Sequence, residues 1–185
     1  MTGHAILTPL LMALLLVTGD FITMALTVDR VTPSSSPAAW DTRYVTPLAT
    51  LYDVCQLTLG TGVIAAALYG LHFTLDSLRT LAFVTLVFGS QAIVYVARER
   101  YGVLHSRPGA WLVASSLIDI ALTIGLATSG VMMAPLRPLA ISALLVATLF
   151  FAGVLETAKA AIIALLRRKG HTPLNAYVQT HPGWN

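Results

Sequence analysis

AILTPLLMALLLVTGDFITMAL, residues 5–26, is a continuous apolar run whose only formal charge is Asp20. It is long enough to cross a hydrocarbon core of about 30 Å as a helix, which takes about 20 residues. Four more runs of this kind follow: Leu48–Leu71, Leu78–Ala97, Ala110–Met133 and Leu139–Leu166. Transmembrane strands need only about 9–11 residues and alternate in polarity, which these runs do not. The expected fold is therefore all-α, an integral membrane bundle of five transmembrane helices.

Composition agrees with that reading. Mean hydropathy is +0.78, 56% of residues are hydrophobic and only 10% are charged, whereas soluble domains carry about 25% charged residues. A chain of 185 residues holds one bundle, expected over residues 1–170, with a polar cytoplasmic tail at 171–185. The single cysteine, Cys55, excludes an internal disulfide and reads as a small buried hydrophobe. The net charge of +3 is no nucleic-acid signal, because the basic residues sit between the apolar runs. The start, MTGHAILTP, lacks the basic region of a signal peptide.

The connections are polar or proline-flanked: VDRVTPSSSPAAWDTRYVTP, RERYGVLHSRPG and the tight APLRP turn, which forces a hairpin. Arg30, Arg43, Arg98, Arg100, Arg107, Arg167, Arg168 and Lys169 fall on one side, and only Arg79 and Arg137 on the other. Under the positive-inside rule the larger group faces the cytoplasm. A multi-pass protein of the plasma (inner) membrane is expected, with Met1 outside and Asn185 inside. Five spans with an outside start and no signal peptide are what a piece of a larger membrane protein would show.

Charged groups inside the spans are where function is sought. A carboxylate at the depth of Asp20 costs at least ~2.5 kcal/mol on insertion scales. Gly19 beside it, with Thr18 and Thr23 around it, suits a helix that opens locally so that carbonyls and the carboxylate meet an ion. A protonated, hydrogen-bonded carboxyl is the structural alternative. Asp119 must face the bundle interior or a wet cavity, as an interhelical hydrogen-bonder or a second ion ligand. Asp53 is expected at a helix N-terminus, where the dipole favours it, with Gln56 one turn on. Ser90 and Gln91 are expected to hydrogen-bond between helices. Glu156 and Lys159, three apart, share a face and neutralise each other, and Lys159 can snorkel. Gly60, Gly62 and Ala65 to Ala67 would let helices approach closely. His4, His72, His105, His171 and His181 lie in loops or termini without metal-ligand spacing, so no metal centre is expected. No catalytic residue is proposed either: the sequence holds no nucleophile–base set, phosphate loop or nucleotide fingerprint.

Two stretches carry a family resemblance. GDFITMALTVDRVTPSSSPAAW (19–40) resembles the sixth transmembrane helix and following loop of P-type cation-transporting ATPases, closest to the plasma-membrane proton pumps. TLAFVTLVFGSQAIVYVARERYGVLHSRPGAWLVASSLIDI (80–120) is similar to their eighth and ninth helices. Read this way, Ala5 to Leu166 corresponds to helices six to ten, a topology with a cytoplasmic C-terminus. The resemblance implies that Asp20 matches the helix-six carboxylate that binds the cation or proton; the family often has an amide residue just before it, here Gly19. It also implies partners: the lipid bilayer, the pump's remaining helices and cytoplasmic domains, and a transported cation, a proton by the closest match. This stretch carries no cofactor of its own, ATP and Mg being implied for the complete pump, whose phosphorylation and nucleotide-binding domains it lacks. The expected function is thus the ion-pathway module of such a pump. The alternatives are a non-catalytic membrane scaffold or subunit, or an inactive remnant.

Overall fold

The computed structural model describes residues 7–27, 42–70, 73–98 and 108–168. Over them the chain is all-α, with no strand among the described residues. The helices are α1 (Pro9–Thr27), α2 (Thr42–Tyr69), α3 (Leu75–Arg98), α4 (Ala110–Ser129) and α5 (Pro138–Arg168). All five are long and apolar enough to cross a membrane by length and composition, consistent with a multi-pass membrane protein. The histidines, most of the first and third connections and the tail after Arg168 lie outside the described residues, so the expectations placed on them do too.

α3 is the axis of the bundle. It packs against all four other helices, while α1 pairs with α4 and α2 with α5 on either side of it. Leu81, Ala82, Phe83, Val84 and Thr85 are consecutive and all buried. At about 100° per residue they go all the way round the helix, so α3 has no lipid face over that stretch. Phe83, Val84, Val87 and Phe88 meet Leu11, Ala67, Ala127, Leu136, Ile141 and Leu144 in the larger core. Ala92 and Val96 meet Phe151 and Leu155 in a second core, against which Cys55 packs half-buried. In a bilayer such contacts stabilise through close packing rather than water exclusion. Outward residues such as Leu16, Leu57, Leu139 and Phe150 are exposed apolar groups, as lipid contact requires.

Helix ends carry local signals. Thr8 accepts the Leu11 amide at 3.3 Å ahead of Pro9, and Thr74 accepts the Ser77 amide at 3.4 Å, so both threonines cap an N-terminus. The fourth span stops at Ser129, short of the expected Met133. Gly130 adopts φ 71° and returns its amide to the Leu126 carbonyl, a left-handed cap that side-chain-bearing residues resist. Pro135 packs where a Gly130 side chain would lie, and Leu136 donates to the Ala127 carbonyl at 2.8 Å, closing the hairpin. The second span begins earlier than expected, at Thr42, because the helix runs through Pro47 in its first two turns, where few backbone bonds are lost.

Candidate functional site

Asp20 lies on the outside of the bundle. Leu11, Thr18, Ile22 and Ala25 are the buried residues of α1, and all four project within about 40° of the direction opposite Asp20. On its own side lie Ala13, Leu16, Thr23, Met24 and Thr27, every one exposed. Among the described residues no group donates a hydrogen bond to the Asp20 carboxylate. The local opening expected at Gly19 does not occur: α1 is continuous through it. The hydroxyls on either side bond within the helix instead of turning to an ion, Thr18 donating to the Leu15 carbonyl at 3.1 Å and Thr23 to the Gly19 carbonyl at 2.8 Å. No neighbour stands near Gly19 to force a break.

Asp119 is placed in the opposite way. α4 turns Leu112, Ser116, Asp119, Thr123 and Ala127 inward, a stripe of helical spacing that is polar at its centre. Asp119 is 4% exposed and accepts a hydrogen bond from the Gln91 amide at 2.5 Å. One turn away Tyr95 donates to the Ser116 hydroxyl at 3.0 Å. α3 and α4 are thus joined by two side-chain bonds, of which the Gln91–Asp119 one is fully buried, where an unmade bond would cost most. The Gln91 carbonyl oxygen and the Thr123 hydroxyl are buried without a partner.

The remaining polar residues divide between the two patterns. Gln56 reaches from α2 to the Leu86 carbonyl of α3 at 3.5 Å, lying over Gly89, where any side chain would collide with it. Lys159, 2% exposed, donates to Glu156 at 2.9 Å and to the Val96 carbonyl at 2.8 Å. The lysine therefore neutralises its neighbour and also satisfies a carbonyl in the last turn of α3, where the helix dipole favours a cation. Ser90 makes no interhelical bond: it is exposed and donates to the Val87 carbonyl of its own helix at 2.8 Å. Asp53 is not at a helix N-terminus, since α2 starts three turns before it, and it faces outward. Gly60 and Gly62 have no close neighbour; Gly89 takes the close-approach role instead, and Ala67 is buried in the core.

The Tyr95–Ser116 bond, the Gly89 contact and the Val96 carbonyl as a partner of Lys159 are absent from the sequence reading. Their only trace in the sequence is helical spacing along α3 and α4. Among the described residues no three His, Cys, Asp or Glu side chains converge as a metal site. No protein-family model matches the sequence, and no curated protein matches it.

Proposed function

We propose that this chain is the ion-pathway membrane module of a P-type cation pump, translocating protons through a site to which α1 contributes Asp20. The observation that supports this reading is the outward position of Asp20 in the middle of a span. A carboxylate facing hydrocarbon is costly, and no described residue donates to this one, so in this reading its partners belong to helices docked against α1. In the resemblance that is where the pump's other ion-binding helices pack. ATP-driven changes elsewhere would move those helices, and the acid would load and release its proton as its surroundings alternate between apolar and cation-lined. The cytoplasmic side is the one carrying eight of the basic residues, with the C-terminal end inside.

The test is co-expression of the chain with the remaining helices and cytoplasmic domains of a proton pump, followed by proton uptake into inverted vesicles. Asp20→Asn is expected to co-purify with those parts and to lose ATP-driven uptake. Uptake equal to the parent's would remove Asp20 from transport and the proposal with it.

A further inference from the structure

The buried threonines hold a contrast the pump reading does not use. Thr18, Thr80, Thr85, Thr123 and Thr148 are the buried threonines among the described residues. Thr18, Thr85 and Thr148 each donate to a carbonyl of their own helix. Thr80 has one proton to give and two carbonyls in reach, that of Ala134 at 2.9 Å and that of Asp76 in its own helix at 3.3 Å. Thr123 alone, fully buried, gives its hydroxyl to nothing. It stands one turn beyond Asp119 on the inward stripe of α4, within reach of the same space. The Gln91 amide donates its N–H to Asp119, and its own carbonyl oxygen is likewise buried and unpaired. The α3–α4 seam thus holds a carboxylate bonded to an amide, and on the same inward stripe four residues on a hydroxyl, with the amide carbonyl and the hydroxyl both unpaired.

We propose that Asp119, Gln91 and Thr123 form an internal binding site for a small monovalent cation of the sodium type. All three groups present oxygen, the donor that hard cations take. With Asp119 ionised they carry one negative charge between them, which matches a monovalent ion and falls short of what a divalent ion draws from several carboxylates. A bound cation would coordinate both orphaned oxygens, a task a water molecule could share, and would also neutralise an acid buried in hydrocarbon, which water would not. Tyr95 and Ser116 are spent on each other and close the seam on one side. Nothing in this site involves Asp20 or the outer face of α1, so it stands apart from the pump reading.

The test is thermal unfolding of the full chain in zwitterionic micelles, with sodium replaced by choline at constant ionic strength. The expected result is a saturable rise of the midpoint in sodium. Asp119→Asn should weaken the apparent sodium affinity by about tenfold or more, since a charged ligand is lost. Thr123→Val should weaken it several-fold and Thr123→Ser should preserve it, while Thr128→Val, on the exposed face, should leave it unchanged. The valine–serine pair decides the matter even where Asp119→Asn fails to fold. Equal midpoints in sodium and choline, or equal sodium responses in the valine and serine variants, would overturn the site and leave a hydrogen-bonded, water-filled seam.

Discussion

Asp119 and Asp20 are single acids set well inside apolar helices, and the bundle surrounds them differently. Asp119 has Gln91 on a facing helix, a buried stripe around it and a second interhelical bond a turn away. Asp20 has an exposed stripe of alanine, leucine, methionine and threonine, and no donor among the described residues. Every threonine on or near that stripe has already closed its hydroxyl onto its own helix, Thr23 at 2.8 Å and Thr27 at 2.6 Å. Polar satisfaction therefore maps the molecule. The α3–α4 seam meets most of its own needs, and the outer face of α1 leaves its carboxylate without a donor among the described residues.

The sharpest way to break this contrast is Gln91→Leu. It strips the buried Asp119 of its hydrogen-bond donor, and a buried carboxyl group left without its partner costs about 3 kcal/mol. Unfolding in mixed micelles should show that loss, and the double variant with Asp119→Leu should recover most of it, because apolar replacement of both partners is nearly neutral. A Gln91→Leu chain as stable as the parent would mean the seam is not a packed polar interior. Asp20→Leu should move stability in the other direction. Removing an unpaired carboxylate from a lipid-facing position should stabilise the chain by about 2 kcal/mol in a bilayer. A destabilised Asp20→Leu would show that the acid has a partner within the bundle.

How far this was legible from sequence follows from the same physics. The five spans and the all-helical fold were plain, because apolar runs of that length have no other stable form in lipid. Which way each residue faces was not. A helix that must be apolar towards lipid and towards its neighbours alike carries little periodicity, so the sequence places Ser90 in an interhelical bond and Asp53 at a helix N-terminus, and neither holds. Gln91 and Ser90 are adjacent and chemically similar, yet about 100° of rotation sends one to Asp119 and the other outward. Gly89 and Gly60 likewise differ only in what lies opposite. Pro47 closes the polar connection in sequence and lies inside α2 in the structure. The stop at Gly130 leaves a sequence trace, a glycine near the end of the apolar run, since only glycine takes the left-handed cap without strain.

Lys159 offers a smaller and independent probe of interior self-sufficiency. Lys159→Met keeps the stem's packing and removes the bonds to Glu156 and to the Val96 carbonyl. Glu156 is 28% exposed, so the acid left behind is partly relieved by its surroundings, and the expected loss is about 1.5 kcal/mol. Glu156→Gln, which retains an acceptor for the lysine, should cost less. A larger loss from the glutamate variant would mean that the Val96 carbonyl is the minor partner.

Asp53 should give the smallest effect, and the reason lies in helix length. Like Asp20 it faces outward with no donor among the described residues, but α2 has 28 residues where α1 has 19. At 1.5 Å per residue, α1 spans about 28 Å and needs nearly its whole length to cross a core of about 30 Å. Asp20 is then held about 10 Å from the nearer boundary. α2 is about 42 Å long and overhangs the core by about 12 Å. With Tyr69 at one boundary, Asp53 comes within about 6 Å of the other, close enough for headgroups and water to reach the carboxylate. Penalties for charge fall towards the interface, so Asp53→Leu should change stability by less than about 0.5 kcal/mol in bilayers of ordinary thickness. Thicker bilayers should draw Asp53 inward and raise that value towards the one for Asp20. If the two acids respond alike at every thickness, depth is not what separates them, and the outer face of α2 would need a docked partner as much as α1 does.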